Sequence, residues 1–267
     1  MKNNFTNKVV WITGASSGIG EALAYAFSAV GARVIVSSRR VEELERVRLA
    51  CSNPGQVKVL PLDLVDIPSF TVKTAQAIAL FGQIDLLVHN GGVSQRGLVI
   101  ETSLDVQRQV MELDYFSYVA LTQAVLPHFV ERKAGVFAVM SSVMGKIGTP
   151  MRSAYAAAKH ALHGFFDCLR AEVSPLNIQV TILTPGYIQT NISLNAVTKD
   201  GSPLGQVSAN IKGGLAADKA ADQILRVLEK GSFEAYIGKP GGEKMALWIN
   251  RIAPGVLIRR APKLAPK

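Results

Sequence analysis

The chain has 267 residues, 48% hydrophobic and 18% charged, enough apolar material for a large core and too little charge for a disordered chain. Its net charge of +9 would suit nucleic acid, an anionic surface or an anionic small molecule, but the basic residues are not striped with aromatics as nucleic-acid binding requires. Cys51 and Cys168 have no ligand spacing, no apolar run reaches the roughly 18 residues of a membrane span, and the polar start 1–8 lacks an apolar leader, so a soluble cytoplasmic protein without disulfide or zinc is expected.

In chain order, short β-branched or apolar runs at 9–13, 34–37, 57–61, 86–89, 136–141, 180–184 and 235–238 predict strands. Helical periodicity fills the gaps at 19–30, 41–51, 67–81, 104–133, 153–173 and 217–230. The alternation predicts an α/β, doubly wound Rossmann fold, a seven-stranded parallel sheet flanked by helices on both faces. It would occupy residues 1–240, leaving 241–267 as a basic and apolar extension packed on the domain or at an interface. The helical run 104–133 is long enough that a break is expected, with Pro127 available to bend it. Residues 190–214 lack periodicity and are rich in Asn, Ser and Gly, which predicts a loop or lid after the sixth strand.

The first strand runs into Gly14-Ala15-Ser16-Ser17-Gly18-Ile19-Gly20 and then a helix. Glycines permit the tight turn and let backbone N–H groups approach a pyrophosphate at the positive end of the helix. A glycine-rich turn also suits an ordinary strand-to-helix connection; its place at the start of a βαβ chain is what points to a dinucleotide. The second strand ends in Ser37-Ser38-Arg39-Arg40, where an acidic residue would normally meet the adenosine ribose. Ser38 can donate to a 2′-phosphate and Arg39 pair with it, with Arg40 alongside, which predicts NADP(H). Two cations at a helix N-terminus are otherwise unfavourably placed.

Tyr155 and Lys159 lie four residues apart and so share one face of their helix. A close ammonium stabilises a phenolate and brings tyrosine toward the working pH for acid/base catalysis. Ser142 closes the fifth strand, at the carboxyl end where open α/β sheets bind ligands, and offers a hydroxyl to a substrate carbonyl.

Together, Thr13-Gly14-x3-Gly18-x-Gly20, Asn90-Gly91-Gly92, Ser142, Tyr155-x3-Lys159 and Pro185-Gly186 resemble, in order and spacing, the classical short-chain dehydrogenase/reductases over about residues 7–238. Within that family, Ser37-Ser38-Arg39-Arg40, Gly92-Val93-Ser94-Gln95-Arg96, Arg152-Ser153-Ala154-Tyr155 and Lys159-His160-Ala161-Leu162 resemble the dehydrogenase/reductase member 7 subgroup. The resemblance implies that Tyr155 is the acid/base, that Ser142 orients the carbonyl, and that Lys159 lowers the tyrosine pKa and holds the nicotinamide ribose. It places Ser16, Ser17, Ile19, Asp63, Leu64, Asn90 and Gly92 along the cofactor, Asp63 at the adenine, and Pro185, Gly186, Ile188 and Thr190 at the nicotinamide end. It also implies a homodimer or homotetramer.

Two positions depart from the family pattern. Asn90-Gly91-Gly92 stands where Asn-Ala-Gly is usual, which keeps the tight backbone path. Asp114 replaces the asparagine of the catalytic tetrad; it keeps an acceptor, loses the amide donor and brings a negative charge near Lys159.

Elsewhere, His160 and His163 have a helical i,i+3 spacing but no carboxylate or cysteine cluster with them, which favours surface or packing roles over a metal. The tail 241–267 sets Met245, Trp248, Ile252 and Ile258 beside Arg251, Arg259 and Arg260, so it either touches a membrane surface, covers the cleft or completes an interface. The leading expectation is an oxidoreductase moving hydride between NADP(H) and a carbonyl or alcohol carbon of a hydrophobic small molecule. The alternative is an NADP-binding or membrane-associated interaction protein in which Asp114 has weakened catalysis.

Overall fold

Val10 and Ile12 bury against one layer of helices and Val9 and Trp11 against the other, so the first strand requires cover on both faces. The computed structural model describes residues 4–206 and 208–264. In order it forms β1 (Val9–Thr13), α1 (Gly18–Ala29), β2 (Arg33–Ser37), α2 (Val41–Ala50), β3 (Val57–Val59), α3 (Phe70–Phe81), β4 (Leu86–His89), α4 (Leu104–Met111), α5 (Ser117–Arg132) and β5 (Gly135–Met140). There follow α6 (Ser153–Val173), β6 (Ile178–Pro185), α7 (Ala209–Lys212), α8 (Ala217–Glu229), β7 (Glu234–Ile237), α9 (Gly242–Ile252) and α10 (Pro254–Arg260).

The seven strands pair in parallel in the order β3-β2-β1-β4-β5-β6-β7, the doubly wound Rossmann sheet that the alternation predicts. The chain reverses its direction of travel across the sheet between β1 and β4, and ligands of such sheets bind in the crevice outside the strand carboxyl ends at that point. On one face, Val10, Ile12, Val34 and Val36 pack with Leu23 and Phe27 of α1 and Ile224 and Leu228 of α8. On the other, Trp11, Leu87 and Phe137 pack with Tyr118 and Phe129 of α5 and Phe166 of α6. The buried Trp11 indole donates to Ser37 Oγ at 2.8 Å, and Ser37 Oγ donates to Leu60 O at 2.6 Å, tying three strands together through satisfied polar groups.

The third strand is shorter than its apolar run, yet the Leu60 and Leu62 amides still donate to Val36 O and Ser38 O, so the chain stays beside β2 as far as Asp63. The long helix does break, but not at Pro127, which lies inside α5. The break is a π-helical turn over Glu112–Phe116, between α4 and α5. A π-turn accommodates one extra residue and disrupts the regular ladder. Here it holds Asp114, whose inward contacts are described below. Among the described residues of segment 190–214, α7 is the only helix or strand, but Val197 N donates to Ser94 O and Arg96 N to Val197 O, both at 2.8 Å, so it folds across the loop after β4 as a lid would.

Candidate active site

The phosphate loop is built on glycines that cannot be replaced without collision. Gly14 has φ +64°, and a Cβ there would lie 2.5 Å from Gly91 Cα; a Cβ on Gly20 would lie 2.4 Å from Gly14 O. Asn90 holds the loop from behind: its side-chain amide donates to Thr13 O at 3.0 Å and Gly14 O at 3.2 Å. The Asn90 and Gly91 backbone amides both donate to Thr13 Oγ1. Asn90 thus shapes the cradle from its β4 side. At the departure, Gly91, a Cβ would come within 2.5 Å of Cδ1 of the buried Leu64, the movable end of that side chain.

At the end of β2 the two arginines differ. Arg40, not Arg39, reaches over the loop, its Nη2 donating to Ser16 Oγ at 3.0 Å and Ser17 Oγ at 3.2 Å. Ser38 Oγ accepts from Arg40 N at 3.2 Å, and Arg39 is exposed. Ser17 caps α1 without a side-chain bond to its first turn, leaving that N-terminus available to an anion. Asp63 Oδ1 accepts from Val65 N at 3.2 Å, which fixes the turn leaving β3. Gly18 lies under Thr190, 3.1 Å from its Cγ2 if a Cβ were added, so the lid segment begins directly over the phosphate loop.

One cleft is lined by Ile19, Ser142, Tyr155, Pro185, Gly186, Ile188 and Thr190, seven residues brought together from β1–α1, β5, α6 and β6. Lys159 and Asp114 stand behind Tyr155, buried beneath it rather than lining the cleft. Ser142 Oγ accepts from Met144 N at 3.1 Å, and Ser142 and Tyr155 line the same cleft.

Asp114 has definite partners. Its Oδ1 accepts from Val93 N at 2.7 Å, an approach that only Gly92 permits, since a Cβ there would lie 2.9 Å from the same oxygen. Its Oδ2 lies 3.3 Å from Lys159 Nζ, and that ammonium donates to Met140 O at 3.2 Å. Burial pushes the Asp114 carboxyl up, offset in part by Lys159 and the Val93 amide. Burial opposes the Lys159 charge too, yet Asp114, Tyr118, whose ring centre lies 5.0 Å from the ammonium, and Tyr155 hold its pKa above the usual lysine value, so the pair stands as an ion pair. Tyr155 does not show the net lowering that its spacing from Lys159 predicts. Burial raises its pKa, Lys159 pulls it down, and Asp114 adds to the rise, so Tyr155 is held as a phenol.

Several cleft residues had no sequence assignment. Arg152, one turn before Tyr155, bonds Ser94 Oγ and donates to Gln95 O at 3.1 Å; among the described residues it has no carboxylate partner. Its i−3 position before Tyr155 is the signal that could have found it. Tyr187 falls between two assigned residues. Glu243 carries no such signal. It enters from α9, accepts from Tyr187 N at 3.0 Å and from the Tyr236 hydroxyl at 3.0 Å, and packs on Gly186, where a Cβ would meet its carboxylate at 2.3 Å. Because these bonds pin α9 at the cleft mouth, Glu243→Ala should lower the local opening free energy of α9 by about 2 kcal/mol. Hydrogen exchange of amides 244–252 measures this, and unchanged protection would refute it.

His160 and His163 part company. His160 is exposed, whereas His163 is buried against Ser141 Oγ at 2.9 Å, its pKa pushed down to about 4 by burial. Among the described residues no cluster of three or more His, Cys, Asp or Glu could hold a metal.

Residues 8–201 match the family model for short chain dehydrogenase. The chain is 43% identical to dehydrogenase/reductase SDR family member 7B of Mus musculus, over 95% of this chain and 80% of that protein. It is 41% identical to dehydrogenase/reductase SDR family protein 7-like of Drosophila melanogaster, over 98% of this chain and 83% of that one. Among solved structures it is similar to a short-chain dehydrogenase from Streptomyces avermitilis, with TM-score 0.82, 32% identity and 96% of each chain covered. A short chain dehydrogenase/reductase from Burkholderia phymatum, solved in complex with NAD, shares the fold with TM-score 0.82 at 19% identity, over 99% of each chain. The cleft at the sheet's switch point and these relatives together make the chain a member of the short-chain dehydrogenase/reductase family of oxidoreductases, in its dehydrogenase/reductase member 7 subgroup.

Proposed function

We propose that the protein is an NADP(H)-dependent carbonyl reductase in which Tyr155 is the proton donor. The observation that carries this reading is the Tyr155 phenol at the cleft wall, in the same cleft as Ser142 and backed by the buried Lys159–Asp114 pair. The glycine cradle fits a dinucleotide: two positive-φ glycines, Gly14 and Gly18, leave room for an approach that side chains would block, above an α1 N-terminus open to an anion.

The cofactor would be held by the loop from Gly14 to Gly20, by Ser38, Arg39 and Arg40, by Asp63, Leu64, Asn90 and Gly92, and by Pro185, Gly186, Ile188 and Thr190. When bound, it supplies the hydride. Ser142 donates a hydrogen bond to the substrate carbonyl and sets its position relative to Tyr155. Tyr155 gives its phenolic proton to that oxygen as negative charge develops there. Lys159 then stabilises the phenolate, and Asp114 keeps the ammonium aligned through the wide turn that places it. Met140, Val143, Met144, Ile192 and Ile211 make much of the wall apolar, with Arg152 as a polar donor, which favours a mainly hydrophobic ketone or aldehyde. Phe116 and Cys168 remain exposed on the outer helices, surface that a second copy would cover in a homo-oligomer.

Oxidation of NADPH, followed at the nicotinamide absorbance against a panel of ketones and aldehydes, tests the activity. The cofactor preference has its own test. Arg40→Ala should weaken NADPH binding about thirtyfold, the value of one charge-assisted contact of about 2 kcal/mol, and leave NADH binding nearly unchanged. Equal losses for both, in a fluorescence titration at moderate salt, would remove the assignment to a 2′-phosphate.

A further inference from the structure

We propose that the α9–α10 tail is a docking surface for an anionic membrane, lying in the interface with its outer side against the lipid. The proposal goes beyond the reductase reading and does not depend on it. Met245, Trp248 and Ile252 are spaced three and four residues apart, so they form one stripe along α9, and each is 60% exposed or more. Val256 and Ile258 extend the apolar surface onto α10. The opposite side of α9 faces the body: Leu247 is partly buried, Asn250 donates to Lys146 O at 2.8 Å, and Glu243 turns into the cleft mouth. The outward stripe is therefore not the face that docks the helix on its own domain.

Charge selects the occupant. Lys244 and Arg251 flank the stripe and Arg259 and Arg260 follow on α10, all exposed and with no ion pair among the described residues. Residues 244–267 contain no acidic side chain. A second copy pairing through this face about a two-fold axis would set these cations against their own equivalents, which is unfavourable. An anionic bilayer offers apolar depth for the stripe and opposite charge for its rim. Among the described residues no helix is long and apolar enough to cross a membrane, and α9 and α10, of 11 and 7 residues, are short enough to lie along a surface. Glu243 sits on the inner side of the same helix, so docking would hold the cleft mouth close to the bilayer.

Trp248 gives a direct readout, because the other tryptophan, Trp11, is fully buried in the core and silent to lipid. The full chain is mixed with vesicles of phosphatidylcholine alone or of equal parts phosphatidylcholine and phosphatidylglycerol. The expected result is a blue shift of Trp248 emission and co-sedimentation with the anionic vesicles only, both reversed by salt. Arg251→Gln with Arg259→Gln should weaken partitioning about twenty-five-fold, at roughly fivefold per cation. Trp248→Phe with Ile252→Ser should keep the circular dichroism of the native protein and weaken partitioning at least about tenfold. Three outcomes would overturn the proposal: no shift with anionic vesicles, equal binding to neutral ones, or a shift without lipid that grows with protein concentration, which would identify a second copy as the occupant.

Discussion

Tyr155→Phe is expected to cut the rate of carbonyl reduction by about 10²- to 10⁴-fold while leaving NADPH affinity within about twofold, the range for loss of a positioned acid. The residue is 9% exposed and packed in the cleft wall, so phenylalanine keeps the volume and removes only the hydroxyl proposed to donate to the substrate. Single-turnover oxidation of bound NADPH measures it, and a variant that retains most of the native rate would remove Tyr155 as the donor. The pH dependence has a sign as well. Reduction needs the phenol, so the rate falls as pH rises through the Tyr155 pKa, and because that pKa stands above the ordinary value of 10.0 the native rate should hold across neutral and mildly alkaline pH. Asp114 contributes to the rise, so Asp114→Asn should move the alkaline fall to lower pH. A fall at the same pH in both proteins would show that Asp114 does not act on Tyr155.

Lys159→Met should destabilise the protein by about 3–5 kcal/mol at pH 7 and abolish reduction, because it strands the Asp114 carboxylate. The side chains of the pair are 4% and 0% exposed, so water cannot replace the lost cation. Burial already raises the Asp114 pKa, and without Lys159 it would rise further. A carboxyl whose folded pKa lies above its unfolded one favours the folded state below the unfolded pKa and loses that contribution as pH rises through the folded value. The penalty in Lys159→Met should therefore grow with pH from the acid side toward neutrality. Adding Asp114→Asn should recover most of the stability and none of the activity. Urea denaturation of the two single variants and the double variant measures the coupling; a double variant no more stable than Lys159→Met would show that the ion pair is not the source of the loss.

The stability of the sheet and the chemistry of the cleft were unequally legible. All seven strands and their helices could be placed from apolar runs and 3.6-residue periods, because each element buries a face that the alternation of side chains already declares. The glycine cradle was also legible, since positive φ and backbone collision leave glycine the only residue that suits Gly14. Local period did not reveal where the long helix breaks. Pro127 was the visible breaker, but a proline inside a helix can be accommodated, whereas the π-turn at Glu112–Phe116 surrounds Asp114, which meets the Val93 amide and Lys159.

The sequence by itself determined the fold class, the order of the elements and the residue types that converge on the cleft, because these follow from short-range geometry and from spacing along single helices and strands. Only the tertiary structure decided that Arg40 rather than Arg39 spans the phosphate loop, that Asp114 pairs with Lys159 and helps keep Tyr155 protonated, and that Glu243 reaches Tyr187 from 56 residues away. Those outcomes depend on distance, direction and desolvation between groups far apart in the chain, and a pKa or an ion pair is set by the packed surroundings rather than by the residues next in sequence.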